Sequence, residues 1–410
     1  MRMQPTRRVI QFAFLALVVG GVFVLGANAE KWCPFGGVEA LYEYATEGTM
    51  LCSLGVSNFY VLAGVLVMTL LLRRAFCAYL CPIGAISEWL RRGAGAIGIS
   101  QWRVPIWLDR VLGTGKYLTL AAILGLTWWH RELIFRAFDP CYALISRHGT
   151  DITIWAYVVA GAIVLASLLV MLPFCRWLCP LAAVLNPFSA TGLARVRRNN
   201  ISCTNCGRCA RECPMDIPVD RLPQVRHARC TSCLSCVDSC PQREQGALSW
   251  GPPSWLGAPW PRAVLVAVLL LCAGGAVAAA YLVPLPSYVK TRGTAPSNTG
   301  VVELHVSNLS CRGRANLLFW FLDRNDMLQL PGPDGDPGYF KLEAWPGEEW
   351  SRVRVTYNAA HATADDVRRA ITEPYFNLQD DAPASRWMES PFAIRGFDPM
   401  ALPPGDVPSQ

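Results

Sequence analysis

Long apolar stretches alternate with short polar segments along the first 285 residues, and this alternation predicts several membrane-spanning helices. A helix needs roughly 20 mostly apolar residues to cross the hydrocarbon core. Five stretches meet or approach that length: 9–27, 57–72, 117–135, 152–173 and 263–283. The first is longer than the apolar core of roughly 7–15 residues found in signal peptides, so we interpret it as a retained anchor.

The uneven distribution of arginine predicts the orientation of these spans. Loops 73–116 and 174–262 are rich in arginine, whereas segment 28–56 holds one lysine and four glutamates. The positive-inside rule places the N-terminus and the two arginine-rich loops in the cytoplasm. Five spans then leave the C-terminal region from residue 284 outside, as expected for a multi-pass protein of a bacterial inner membrane.

The overall composition agrees with a membrane protein. Hydrophobic residues make up 52% of the 410 residues, charged residues 16%, and the mean hydropathy is +0.27. The net charge of +7 comes from arginines in loops between apolar stretches, so we expect the lipid bilayer as a partner and no nucleic acid.

The strongest chemical signal is a doubled cysteine motif, CTNCGRCARECP followed by CTSCLSCVDSCP. Each copy has the spacing of bacterial ferredoxins, in which three cysteines bind one [4Fe-4S] cluster and the fourth binds the other. The spacing predicts one cluster on Cys203, Cys206, Cys209 and Cys240, and a second on Cys230, Cys233, Cys236 and Cys213. A pair of zinc sites is the alternative, and two complete copies with prolines after the fourth cysteine disfavour it.

A second pair of motifs, each Cys-x3-Cys-Pro, belongs to an internal repeat. In both copies a cysteine beside a proline precedes a span, which is followed by FCAYLCPIG or FCRWLCPLA. The repeat predicts two pseudo-symmetric helical hairpins with sites at matching depths. The motif cysteines are Cys77, Cys81, Cys175 and Cys179. If helical, each pair lies on one face, and the four could bind a further cluster or metal ion. The alternative is simple packing.

Three cysteines on the predicted outer side are weaker candidates. Cys33 and Cys141 occupy matching places in the repeat. They could form a disulfide, act as soft ligands for copper or remain reduced thiols. Cys311 lies in the C-terminal region. The chain contains no Cys-x-x-Cys-His haem motif, Rossmann fingerprint or P-loop.

The C-terminal region predicts a small α+β domain. Alternating strands and two helices give the order βαββα, with Thr363 as the cap of the second helix and a last strand in FAIRGF. This βαββαβ order is ferredoxin-like in the fold sense. The predicted domains are a four-helix membrane domain (1–199), a 2[4Fe-4S] ferredoxin-type domain (200–250), a fifth transmembrane helix (251–285), a linker (286–300) and an external α+β domain with a tail (301–410).

The paired Cys-x3-Cys-Pro motifs and the doubled ferredoxin motif together resemble the membrane polyferredoxins of the NapH, NosR and CcoG/FixG types. The resemblance covers residues 9–285 and implies electron transfer at the membrane between a quinol or cytoplasmic donor and an acceptor that is often external. The C-terminal region is similar to a heavy-metal-associated domain. It is degenerate, because Arg314 stands where such domains have a second cysteine after Cys311.

Two functional hypotheses follow, with an assembly scaffold as a third. The first is an oxidoreductase, either a quinol dehydrogenase or a metal reductase that delivers electrons to Cu(II) or a periplasmic metalloprotein. The second is a non-catalytic relay subunit that oxidises quinol in a larger respiratory complex. In both, the candidate partners are a redox protein or a quinol. Either a quinone links the two sides of the membrane or the electrons do not cross it.

Overall fold

A computed structural model describes residues 3–24, 32–47, 57–130, 139–145, 153–309, 312–323, 338–345, 347, 349–376 and 387–397. The chain divides into two compact units. The first comprises residues 1–39 and 57–279, and the second comprises residues 40–56 and 280–410.

The chain up to residue 282 is mainly helical, and five of its helices begin with a proline, whose fixed φ suits the first helical turn. The helices are α1 (Met3–Phe23), α2 (Pro34–Glu47), α3 (Ser57–Leu72), α4 (Ala75–Tyr79), α5 (Pro82–Ala96), α6 (Ile106–Leu112), α7 (Gly115–His130), α8 (Pro140–Ile145), α9 (Ile154–Leu169), α10 (Pro173–Trp177), α11 (Pro180–Thr191), α12 (Arg208–Arg211), α13 (Ser235–Ser239) and α14 (Arg262–Leu282).

Helices α1–α5 and α7–α11 are two copies of one five-helix arrangement. In each copy a 16-residue apolar helix, α3 or α9, is followed by a five-residue helix and then by a proline-started helix. Helix α5 of the first copy packs on α9 of the second, and α11 of the second packs on α3 of the first. The internal repeat predicted from the Cys-x3-Cys-Pro segments is therefore present, and it extends over five helices per copy.

Two helices in the described part of the chain are long and apolar enough to cross a membrane. They are α1 and α14, each of 21 residues, while α3 and α9 are apolar but shorter. Helix α7 ends at His130, and residues 131–138, which include the end of the third predicted span, lie outside the described residues. The five-span topology therefore stays a prediction.

The ferredoxin-type segment is closed by a two-stranded antiparallel ladder. Strand β1 (Arg195–Arg198) pairs with β2 (Leu248–Gly251), with Arg195 opposite Gly251. The segment's apolar residues, including Met215 and Trp250, belong to the same hydrophobic core as helices α3 and α4. The segment thus begins at residue 195 instead of 200, and it packs into the first unit.

The second unit contains an antiparallel sheet with the order β3-β5-β6-β4. Its elements are β3 (Tyr288–Arg292), β4 (Thr299–Ser307), α15 (Arg312–Leu322), β5 (Phe340–Trp345), β6 (Trp350–Asn358), α16 (Ala364–Thr372), β7 (Tyr375–Phe376) and β8 (Trp387–Met388). From β4 onward the order is βαββα, and Ile394 in FAIRGF bridges to Val306 of β4. Thr363 caps α16 through a capping box with Asp366.

One predicted boundary in this region was wrong. Residues 286–300 were expected to form a linker because of their Gly, Pro, Ser and Thr content, yet Tyr288–Arg292 is the edge strand of the sheet. Tyr288 is buried in the core of the second unit, and its hydroxyl donates to Asn316 on α15. The burial of Tyr288 and the pairing of five residues with β5 outweigh the surrounding turn residues.

Candidate metal centres

The two ferredoxin-type motifs adopt the same backbone conformation. Asn205 and Gly207 in the first motif have φ of 53° and 68°, and Ser232 and Leu234 in the second have φ of 47° and 58°. These left-handed residues turn the chain tightly around the sulfurs, and such turns point backbone N–H groups into an anion-binding concavity. The motifs therefore form two equivalent cradles.

Each cradle lines a cavity, and the eight motif cysteines divide between them. Site I is lined by Cys203, Cys206, Cys209 and Cys240, and has an empty volume of about 340 Å³. Site II is lined by Cys213, Cys230, Cys233 and Cys236, and has an empty volume of about 360 Å³. The grouping is the crossed one that the spacing predicts, with the fourth cysteine of each motif in the cavity of the other motif.

The donor sets fit iron–sulfur clusters better than zinc. In the described part of the chain, no group of three or more cysteine, histidine or acidic side chains is arranged around a single metal ion. A zinc site needs four thiolates about 2.3 Å from one ion, whereas the ligands of a [4Fe-4S] cluster bind four separate irons. Each cavity has four cysteines on its wall, as a four-iron cluster requires.

The two sites differ in exposure. In site I, Cys206 is exposed, and the backbone N–H of Arg208 lowers the pKa of its thiol. In site II, Cys233 and Cys236 are buried, and burial raises the pKa of Cys236 well above its ordinary value. Burial also opposes ionisation of Cys233, but the charge of Arg7 and bonds from Ser235 bring its pKa below the ordinary value. The cysteines of site I are therefore more exposed to solvent than those of site II.

Helix α1 docks its N-terminus on the site II loop. The Asp238 carboxylate accepts from the backbone N–H groups of Met3 and Gln4 at 2.7 and 2.9 Å. Arg7 donates to the Cys233 carbonyl at 3.3 Å and to Ser235 at 3.2 Å. A carboxylate at a helix N-terminus is electrostatically favourable. The contact ties a candidate spanning helix directly to a cysteine loop.

A second tie is the Arg73–Arg74 pair that follows α3. Both side chains are fully buried. Arg73 donates to the carbonyls of Ser189 and His227 at 2.8 and 3.3 Å. The backbone N–H of Arg74 donates to the Cys230 carbonyl at 3.3 Å, so site II rests on this turn.

The burial of these arginines corrects one step of the sequence argument. Arg73 and Arg74 were counted as charges on a cytoplasmic loop, but they lie inside the protein, as do Arg7 and Lys116. The positive-inside count therefore includes internal charges, and it carries less weight for the topology than their number suggests.

The Cys-x3-Cys-Pro motifs are not continuous helices, contrary to the expected i, i+4 arrangement. Cys77 lies in α4 and Cys175 in α10, whereas Cys81 and Cys179 are extended residues that precede α5 and α11. The physical reason is the following proline, which disfavours helical φ and ψ at the residue before it. All four cysteines lie in or against one hydrophobic core. Burial and neighbouring motif cysteines raise the pKa values of Cys81 and Cys175.

Cys33 and Cys141, for which a disulfide, copper ligation and reduced thiols were alternatives, are free thiols in the structure. Burial raises the pKa of Cys33 to about 12, with a further contribution from Asp139. The pKa of Cys141 is also raised well above its ordinary value, first by burial and then by the charge of Asp139 and by nearby cysteines. Cys311, the third weak candidate, lies outside the described residues.

Sequence reasoning missed the charged residues around the cysteines, namely Arg7, Arg74, Lys116 and Asp238. The available signal was position: Arg74 lies three residues before Cys77, and Asp238 lies between Cys236 and Cys240. Neither position follows a spacing rule, so only the fold reveals their contacts.

Two family profiles match the chain. A 4Fe-4S binding domain matches twice, over residues 54–103 and 152–199, and a 4Fe-4S dicluster domain matches residues 195–241. The first profile covers the two Cys-x3-Cys-Pro hairpins, and the second covers all eight cysteines of sites I and II.

Several curated proteins are similar to the chain. YccM of Escherichia coli (strain K12), provisionally named as an electron transport protein, is 34% identical over 52% of this chain and 61% of its own length. The methylamine utilization ferredoxin-type protein MauN of Paracoccus denitrificans is 29% identical over 51% of this chain and 74% of its own. The regulatory protein NosR of Pseudomonas aeruginosa is 33% identical over 34% of this chain and 20% of its own. No solved structure matches the chain significantly.

Proposed function

We propose that this chain, which belongs with the membrane-associated ferredoxin-type 4Fe-4S electron-transport proteins, passes electrons between a cytoplasmic redox partner and a quinone or acceptor at the membrane. The observation that carries the proposal is the pair of four-cysteine cavities with unequal exposure. A solvent-facing site suits exchange with a partner protein. A more deeply buried site tied to α1 and to the turn after α3 suits exchange with the membrane side.

The four cysteines of site I hold one [4Fe-4S] cluster, and the four cysteines of site II hold a second. Such a cluster accepts and releases single electrons. Around site II the chain places Arg7 next to Cys233 and Arg73 next to Cys230, both buried. A positive charge stabilises the more negative, reduced state of a nearby cluster, because Coulomb energies grow in a low-dielectric interior. Site I is lined by the acidic Asp220, and Arg211 acts on Cys206 there, but Cys206 is exposed and solvent screens charges at this site. We therefore expect electrons to move from site I to site II.

The first prediction concerns iron content and reactivity. The full-length protein, purified anaerobically in detergent, should contain at least eight irons and eight sulfides per chain, about four of each per cluster. After chemical reduction, reoxidation by a quinone analogue would support the quinol-linked role, and reoxidation by Cu(II) would support the metal-reductase role. Replacing Cys272, which lines neither cavity, with serine is the matched control. Protein without an iron–sulfur spectrum would contradict the proposal.

The second prediction concerns orientation. With five spans the C-terminus lies outside the cytoplasm, so a reporter that requires export should be active when fused after Gln410. The same reporter fused in the loop between α5 and α6, after Gly98, should be inactive. A C-terminal fusion that is produced at full length but inactive would contradict the five-span topology.

The third prediction is that the C-terminal unit does not bind Cu(I) tightly by itself. It offers one cysteine, Cys311, with Arg314 at the second position, whereas Cu(I) prefers two soft thiolates. His305 lies opposite Arg352 in the sheet, which disfavours a cation there. Titration of a fragment beginning at Pro284, which keeps β3, should show no tight stoichiometric binding. Tight stoichiometric Cu(I) binding by the fragment would contradict this prediction.

A further inference from the structure

Buried arginine and lysine side chains in the first unit fall into two groups. Arg7 pairs with Glu88, and Arg176 pairs with Asp109 and Asp216. In contrast, no carboxylate of the described residues forms an ion pair with Arg74, Arg91 or Lys116, which are 0%, 5% and 2% exposed. Arg91 donates instead to the Leu168 and Ile99 carbonyls. Lysine can relieve such burial by losing its proton, but the guanidinium of Arg74 stays charged and its Nε has no partner. An isolated buried cation is strongly unfavourable, so Arg74 requires an anion that the described acidic residues do not supply.

The contacts of Arg74 indicate where that anion lies. Its guanidinium Nη2 is 3.2 Å from the Cys175 carbonyl and 3.9 Å from the Cys77 sulfur, and its Nε has no partner. Lys116 lies nearby, with its Nζ 3.0 Å from the Asn186 amide on α11. Both cations thus border the Cys-x3-Cys-Pro cysteines.

Site II provides an internal comparison. Arg73, the neighbour of Arg74, is also fully buried, has no ion pair with a described carboxylate, and bonds only to carbonyls in the structure. Its charge acts on Cys230, a cysteine that spacing alone assigns to a cluster. Arg73 thus places a buried charge beside the site II cysteines, and Arg74 places one beside the Cys-x3-Cys-Pro cysteines. Site II binds a cluster under the proposed function, and the Cys-x3-Cys-Pro set has the same electrostatic requirement.

The pseudo-symmetric repeat supplies the ligands in matched pairs. Cys77 and Cys81 come from the first copy, and Cys175 and Cys179 come from the second. Cys81 and Cys179 stand at the N-termini of α5 and α11, where the helix dipole favours a thiolate. Gly84 approaches the Cys77 carbonyl so closely that a Cβ would clash, so the turn around Cys81 is tightly constrained.

We propose that Cys77, Cys81, Cys175 and Cys179 bind a third iron–sulfur cluster between the two copies of the repeat, with Arg74 as its buried counter-charge. The proposal rests on the proposed electron-transfer function. Thiolate-ligated clusters are anionic, whereas four thiols or two disulfides are neutral and would leave the charge of Arg74 unmatched. A single metal ion is disfavoured, since no described group is arranged to hold one.

The third cluster would be the membrane-side partner of site II. The bond from the Arg74 N–H to the Cys230 carbonyl joins the two cysteine sets through one residue, and Arg74 reaches Cys77 on its other side. Electrons leaving site II would thus have a next acceptor inside the helical unit.

Iron and sulfide analysis of the full-length protein in detergent tests the proposal without any variant. We expect about twelve irons per chain if the third cluster has four, and about ten if it has two, against about eight for sites I and II alone. A redox titration should resolve a third paramagnetic species. Eight irons with two species would overturn the proposal and leave the proposed function intact, whereas loss of the site I and II signals would contradict the function itself.

Variants then assign the ligands. The double substitution Cys77→Ser and Cys175→Ser should remove the extra iron and the third species, and preserve the site I and II spectra. Cys272→Ser is the control, and unchanged iron in the double variant would overturn the assignment. If the double variant does not fold, Arg74→Gln should lower the potential of the third species and Arg74→Lys should largely restore it. An Arg74→Gln protein whose third species keeps its potential would refute the role of Arg74.

Discussion

Replacing Cys213 with serine is expected to remove the cluster of site II, although Cys213 belongs to the motif that supplies three ligands of site I. The reason is geometric: Cys213 lines the same cavity as Cys230, Cys233 and Cys236. We expect a loss of about four irons per chain. Electron paramagnetic resonance of the reduced protein should lose the buried cluster's signal and retain that of the exposed cluster.

The reciprocal variant is the matched control for this experiment. Cys240→Ser should remove the cluster of site I, because Cys240 lines the cavity of Cys203, Cys206 and Cys209. Each variant should thus damage the cluster of the other motif. If Cys213→Ser removed the site I signal and spared site II, the crossed ligation would be refuted. Because Arg7 and Arg73 lie near site II, the cluster lost in Cys213→Ser should be the one with the higher potential.

The cysteine sets could be predicted from sequence because ligand spacing is a local property. Two Cys-x2-Cys-x2-Cys-x3-Cys-Pro copies limit where the sulfurs can lie, and the dicluster profile over residues 195–241 agrees. The resemblance to membrane polyferredoxins, drawn from the same motifs, is confirmed by the matches to YccM, NosR and MauN. The counter-charges could not be predicted in this way. Whether Arg73 faces solvent or the interior depends on contacts with Ser189 and His227, more than one hundred residues away.

The fold shows the same division between local and distant determinants. The strands of the C-terminal unit were predictable from alternation, since burial alternates strictly along β5. The start of α16 was predictable from its capping box. Strand β3 was missed because its burial depends on pairing with β5, fifty residues later. The break between Cys77 and Cys81 could have been predicted from Pro82, because the residue before a proline disfavours helical φ and ψ. The i, i+4 spacing of the two cysteines instead suggested a continuous helix, which was wrong.

Replacing Glu88 with glutamine is expected to destabilise the first unit by about 3–5 kcal/mol, because it leaves Arg7 as a buried charge without a partner. Arg7 and Glu88 have side-chain exposures of 1% and 4%, and Glu88 also pairs with Arg92 and accepts from Gln11. Since Arg7 also donates to the Cys233 carbonyl, the change should loosen the site II loop. Thermal unfolding in detergent, followed by cluster bleaching, measures the effect. The exposed pair of Arg368 and Asp365 provides a control, and Arg368→Ala should have little effect.

The double substitution Arg7→Leu and Glu88→Leu separates packing from charge. Replacing a buried ion pair by apolar residues of similar volume is often neutral or stabilising, so this protein should regain most of the stability lost in Glu88→Gln. Unlike Glu88→Gln, the double variant lacks the positive charge of Arg7 beside site II. The cluster of site II should therefore become harder to reduce. Stability and potential would then move independently. If the double variant recovered its stability and its site II potential were unchanged, Arg7 would be a structural residue alone, and electron transfer from site I to site II would need another driving force.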